Sequence, residues 1–281
     1  MILSHREQGE KHIRLHHTKL LHVNYLAAKM RGNSIVSCKT MIDTHAHMNE
    51  IGKIEQTIQR AKGVGVNRIV AVGMDIDSNR ATLSLARQFP EIIYPAIGYH
   101  PWSITLEGIE DNLTFIEKNL SSCIALGEVG LDYKTRMKKN IQWEVFFRIL
   151  LIVKNSGRPV IVHSRFSHKR THQMVREAGV EKAVFHWYSG PLDILDNIIE
   201  DGYFISATPA LAYSLPHQTA IKRAPLERIL IETDAPVEYQ GKVSEPADLV
   251  ITLREVSRLK GLEPDEVKRI TTANAKKFFT I

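Results

Sequence analysis

The chain has 281 residues, 43% hydrophobic and 24% charged, enough apolar material for one large core or two small ones. No apolar run reaches the ~18 residues of a membrane span, so no membrane partner is expected. The net charge of +6 is concentrated in residues 1–40, with seven Lys/Arg against two acids, leaving 30 basic and 29 acidic residues elsewhere, so any nucleic-acid footprint must be local.

Residues 1–40 hold five histidines (His5, His12, His16, His17, His22) and no clear strand or capped helix. They are expected to be a poorly ordered basic extension, with Met41, directly before the first strand, a candidate for the true start. From there β-rich runs begin near Met41, Arg68, Ile92, Cys123, Pro159, Ala183, Tyr203 and Ile229. Amphipathic helices are predicted between them, at residues 53–62, 78–88, 106–120, 140–155, 168–178, 193–200, 217–222 and 247–260. A last helix, 264–279, opens with the start signal Glu263-Pro264-Asp265. Eight β-then-α units over residues 41–281 predict a single-domain α/β (β/α)8 barrel of TIM type with an extra C-terminal helix. The strands read as continuous apolar runs, as when both faces are buried. An open doubly wound sheet lacks support, because no Gly-rich phosphate loop follows an early strand.

Six metal-ligand side chains end such strands: His45 and His47, Glu128, His163, His186 and Asp234. His45 and His47 are two apart, so both side chains should share one face of their strand. Glu128, between Gly127 and Gly130, is poorly suited to core packing and suited to bridging two cations. Taken singly, each of these residues would more often be structural; His163 and His186 could be hydrogen-bonded core histidines, and Asp234 a turn residue before Ala235-Pro236. Together they supply about three ligands per cation with Glu128 shared, and two cations ~3.5–4 Å apart can clamp the attacking and leaving oxygens of a displacement. In that set Asp234 reads as both ligand and proton acceptor. Imidazole and carboxylate without thiolate suit Mg²⁺, Mn²⁺ or Zn²⁺ alike. His168 and His172, at i,i+4 spacing, open a basic helix and are expected on a solvated face. His100, near Trp102, could be a substrate-facing or packing residue. The two cysteines, Cys38 and Cys123, form no ligand-like pattern, and a cytoplasmic location is expected.

In order along the chain, Asp43-Thr44-His45-Ala46-His47, Gly98-Tyr99-His100-Pro101, Gly127 through Asp132, Val162-His163-Ser164-Arg165, His186 with Ser189-Gly190, and Glu232-Thr233-Asp234-Ala235-Pro236 closely resemble the TatD-type metal-dependent deoxyribonucleases of the amidohydrolase superfamily. The resemblance covers about residues 41–280. It implies a TIM-like barrel that hydrolyses DNA phosphodiesters with two divalent cations. One cation would be held by His45, His47, Glu128 and Asp234, the second by Glu128, His163 and His186. It further implies Asp234 as general base, with His100 and Arg165 binding the substrate phosphate. The chain departs from the family's pattern in two loops. Phe166-Ser167 follows Arg165 where the family has Asp-Ala, and Tyr239-Gln240-Gly241-Lys242 lacks an Arg.

DNA is thus the expected partner, and no obligate protein partner is evident. Lys134, Arg136, Lys138 and Lys139 after the fourth strand, and Lys169 and Arg170 after the fifth, offer local positive charge. The alternative is an amidohydrolase-type hydrolase of small phosphoesters, esters, lactones or amides using the same metals. Glu128, where many small-molecule amidohydrolases carboxylate a lysine, leans toward the nuclease branch. A noncatalytic binding protein is disfavoured because no ligand position is lost.

Overall fold

The computed structural model describes residues 40–281. The expectation for residues 1–39 therefore lies outside the described residues. Eight parallel strands lie side by side in chain order: β1 (Met41–Ala46), β2 (Val66–Val72), β3 (Ile93–Ile97), β4 (Ala125–Asp132), β5 (Val160–Arg165), β6 (Ala183–Phe185), β7 (Phe204–Ala207) and β8 (Ile229–Ile231). Each is followed by a helix: α1 (Ile54–Gly63), α2 (Ile76–Gln88), α3 (Ile109–Asn119), α4 (Lys139–Ser156), α5 (His168–Glu177), α6 (Leu192–Glu200), α7 (Leu215–Arg223) and α8 (Leu249–Lys260). The extra helix is α9 (Pro264–Phe279), and a short hairpin of β9 (Glu238–Tyr239) and β10 (Lys242–Val243) interrupts the path from β8 to α8. This is the (β/α)8 barrel that the β-then-α alternation predicts.

The ring closes beyond β8. A parallel bridge joins Ala46 to Ala235, and Asp234 N–H donates to His45 O at 2.9 Å. Asp43 reinforces the seam, accepting from Thr233 N at 3.0 Å and from Thr233 Oγ1 at 2.5 Å.

Two apolar layers hold the barrel. The larger lies between strands and helices, where side chains such as Leu126, Val129, Phe146 and Ile149 are fully buried. The smaller fills the inside, with Ile42, Val70, Ala96, Ile161, Val184 and Leu230 contributed by successive strands. Ala275, Phe278 and Phe279 of α9 belong to that inner cluster, and the Phe278 ring lies 5.3 Å from that of Phe204. The extra helix thus closes the N-terminal end of the barrel and leaves the C-terminal end as the open mouth.

Candidate metal centre

Inward-facing positions recur every second residue along a strand. Ile161 and His163 on β5 obey this, as do Val184 and His186 at the end of β6, and Leu230, Glu232 and Asp234 beyond β8. The other two strands do not. On β1, Asp43 pairs with Ile69 and Ala46 with Ala71, so β1 carries one extra residue. On β4, Leu126 pairs with Val160 and Val129 with Val162, again one residue extra. Such bulges shift the phase of the side chains. The first brings His45 and His47 inward although Ile42 is also inward; the second does the same for Glu128 relative to Ala125. Two glycines permit the crowding: a Cβ on Gly98 would strike the Glu128 backbone, and one on Gly130 would strike His163 O.

The six predicted residues converge. His45 Nε2 and His47 Nε2 are 3.3 Å apart. His45 lies 3.4 Å from Glu128 Oε2 and 3.4 Å from Asp234 Oδ1. His47 lies 3.5 Å from the same two oxygens. Glu128 turns its other oxygen away from them: Oε1 is 2.7 Å from His163 Nδ1 and 2.7 Å from His186 Nε2, which are 3.3 Å from each other. Glu128 therefore stands between two histidine pairs, one oxygen toward each.

The donor set fits divalent cations. Ligands ~2.0–2.1 Å from one tetrahedral ion are ~3.3 Å from each other, which is the spacing around His45, His47, Glu128 Oε2 and Asp234. The ring partners also turn lone pairs inward. His47 Nδ1 donates to Val72 O at 3.1 Å, His163 Nε2 faces Asp132 Oδ2 at 3.2 Å, and His186 Nδ1 faces Glu232 Oε1 at 3.5 Å. Once the rings are neutral, such partners leave the second nitrogen free to face the centre, as orienting partners of metal-bound histidines do. His100 is the exception. Its Nδ1 accepts from Trp102 N at 3.1 Å, so in the neutral ring the proton sits on Nε2, 3.3 Å from Glu128 Oε1. Burial pulls the His100 pKa down to about 4, which keeps the ring neutral, and with Glu128 and His163 it forms another set of possible ligands.

Charge in the cluster is strongly coupled. Burial disfavours a charged His47, but Asp234 and Glu128 outweigh it and raise its pKa to about 9. Burial opposes charge on His186 and His163 as well. Glu128 outweighs it at His186, and Asp132 together with Glu128 at His163, so both are raised. Against the same desolvation, the surrounding histidines hold Glu128 well below the ordinary carboxylate range and lower Asp234. Asp234 also has φ 53, a left-handed backbone that a non-glycine residue adopts at a cost. Burial pushes the Asp43 carboxyl in the barrel seam up to about 8, against hydrogen bonds from Thr233 and His45.

Sequence reading missed two carboxylates. Asp132, held at about 2 despite burial by bonds from His163, Trp102 and the Lys134 backbone, accepts from Trp102 Nε1 at 2.6 Å and Lys134 N at 2.7 Å. Glu232, 1% exposed, accepts from Trp187 N at 3.0 Å and groups with His45 and His186 as a further set of possible ligands. Its position two residues before Asp234 was the available signal. Arg165 is exposed at the end of β5, its guanidinium without an ion pair among the described residues. The solvated face expected for His168 and His172 is wrong. His172 is buried and pairs with Asp201 Oδ2 at 2.7 Å, and His168 is half-buried against the Tyr188 ring, because α5 turns this side onto the neighbouring unit.

A (β/α)8 barrel with a histidine–carboxylate cluster at its mouth belongs to the class of metal-dependent hydrolases. A family profile described as TatD related DNase matches residues 42–280. The metal-dependent hydrolase YabD of Bacillus subtilis is 31% identical over 256 residues, covering 86% of this chain and 99% of its own. The human deoxyribonuclease TATDN3 is 29% identical over 259 residues, covering 85% and 94%. A TatD homologue from Escherichia coli K12 shares the fold, with a TM-score of 0.77 at 24% identity over 88% of this chain and all of its own. The chain belongs to the TatD-related DNase family and is a metal-dependent hydrolase acting on ester bonds.

Proposed function

We propose that the chain cleaves phosphodiester bonds in DNA with two divalent cations. His45, His47, Glu128 and Asp234 would hold one and Glu128, His163 and His186 the other. The observation that carries this reading is Glu128 itself, whose two oxygens face separate histidine pairs at 2.7 to 3.5 Å. When bound, such cations supply Lewis acidity and lower the pKa of water enough for attack at neutral pH.

Asp234 serves as the general base: its depressed pKa keeps it ionised, and it stands beside the first histidine pair, within reach of a water that a cation held there would acidify. His100, neutral and with its proton on Nε2, donates to the phosphoryl oxygens as charge develops. Arg165, exposed at the rim with no ion pair among the described residues, meets the same phosphate or its neighbour. Glu232 and Asp132 orient the rings of His186 and His163.

The name of the human relative supports DNA as substrate, as do the basic side chains at the mouth. Lys134 and Lys139 lie over the Phe166 and Tyr133 rings at 5.3 and 4.3 Å and hold positive charge beside the site. No described helix is long and apolar enough to cross a membrane. Cytoplasmic placement is read from the cysteine usage, Cys123 being free and buried. Residues 41–281 are read as the metal-dependent hydrolase barrel, with the first 40 as a basic extension.

Labelled DNA and a panel of small esters and phosphodiesters, each assayed with Mg²⁺, Mn²⁺ and Zn²⁺, test this. DNA cleavage that is lost with a chelator and weakens as salt rises is expected, since Lys/Arg contacts to phosphate are salt-dependent. Turnover of small esters with none on DNA would replace the nuclease reading with the small-molecule one.

A further inference from the structure

The loop between β5 and α5 holds one of the chain's two departures from its family's pattern, and the structure gives it a shape. Phe166 is three residues beyond His163 and 66% exposed, in a left-handed backbone at φ 55. A bulky side chain in that region is an outlier, and this one is spent on presenting an aromatic ring to solvent. The loop is held firmly. Tyr133 N–H donates to Arg165 O at 3.0 Å, and Ser167 Oγ donates to Leu131 O at 2.6 Å, fixing both sides of Phe166 to β4 and its continuation.

Phe166 lines a groove of about 720 Å³ between the loop after β5, which follows His163 by three residues, and the loop at residues 189–191, which follows His186 by three. Tyr133 adds a second aromatic wall, Lys169 and Arg170 add positive charge, and no carboxylate lines it. The Lys134 ammonium lies 5.3 Å from the Phe166 ring. Lys134 is itself tied to the centre, its N–H donating to Asp132, whose other oxygen faces His163. One carboxylate therefore holds both a candidate ligand ring and the backbone of the residue whose ammonium lies above the exposed phenyl.

We propose that Phe166 is a stacking platform for an unpaired nucleobase next to the scissile phosphodiester, with Lys134 and Lys169 on the flanking phosphates. A flat ring beside cations, in a groove lacking negative charge, matches the chemistry of single-stranded nucleic acid, whose bases offer a free π-face and whose backbone offers charge. A base still paired and stacked in a duplex has no face to offer. The proposal rests on the DNA reading above and names the residue that would hold a base beside the cleaved bond.

The test uses the full chain with Mn²⁺ and a single-stranded oligonucleotide, compared with the same strand carrying one abasic sugar at each position in turn. Phe166→Ala should raise KM on the order of 5- to 100-fold, the scale of one lost base–aromatic stack, with kcat within about twofold. Phe166→Tyr should restore the KM. At one position the abasic sugar should raise the wild-type KM by the same factor and add nothing to Phe166→Ala. A 2-aminopurine at that position, bound to the slowly turning Asp234→Asn protein, should lose fluorescence that Phe166→Ala returns. Cleavage of the strand with an unchanged KM in Phe166→Ala overturns the platform and leaves the nuclease reading standing. Turnover of small phosphodiesters by the wild type with no cleavage of any oligonucleotide overturns both.

Discussion

Asp132 Oδ2 stands 3.2 Å from His163 Nε2, and this contact turns the ring so that Nδ1 meets Glu128 at 2.7 Å. The carboxylate sets both the tautomer and the angle of the ring, and it also receives Trp102 Nε1. Asp132→Asn keeps the shape but accepts more weakly and can present an N–H to His163 instead. Affinity for the cation held with His163 should fall about 10- to 100-fold, the usual cost of losing an orienting partner. Calorimetric metal titration measures it, and an unchanged affinity would show that Asp132 serves only the loop.

Because Glu128 faces both histidine pairs, Glu128→Ala should lower the occupancy of both cations. His186→Ala should spare the first, where His45, His47 and Asp234 still converge. Elemental analysis after dialysis separates the cases. Equal losses in the two variants would mean that the cations bind as one cooperative unit.

Asp234→Asn retains an oxygen near His45 and His47 but cannot take a proton from water as a carboxylate does. Turnover should fall roughly 10²-fold or more, the scale of general base catalysis, with metal content and KM little changed. Near-normal turnover with metal retained would move the base to Glu128 or another group.

Metal uptake should release protons. In the metal-free protein His47 has a pKa of about 9, raised by Asp234 and Glu128 against burial, and His163 and His186 are raised too. Their folded pKa values exceed the ~6.5 of an unfolded histidine, so these protons stabilise the metal-free fold fully below ~6.5 and progressively less toward 9. A cation must displace them, so apparent affinity should climb from pH 6.5 to about 9. Titration calorimetry at pH 7.5 in buffers of different ionisation enthalpy should show a net proton release. A heat independent of the buffer would contradict the charged cluster.

The barrel, its extra helix and the identity of the six candidate ligands were legible in the sequence because each depends on local pattern. Strand runs such as Val160–Val162 are apolar throughout, α9 announces its start at Glu263-Pro264, and each candidate ligand interrupts or follows an apolar run. Which way those ligands face was not a local matter. Strict alternation from Ile42 and Ala125 would turn His45, His47 and Glu128 away from the interior; one extra residue in β1 and one in β4 turn them inward. A bulge is fixed by the hydrogen-bond register with neighbouring strands, here β2 and β5, which no single strand encodes. The same holds for Asp132, Glu232 and the neutral His100, whose roles come from partners distant in sequence: Asp132 meets His163 31 residues on, and Glu232 meets His186 across from β6. Residue types and their strand-end positions fixed what chemistry could occur; tertiary register decided which atoms meet, because donor orientation depends on backbone phase at the level of a single residue.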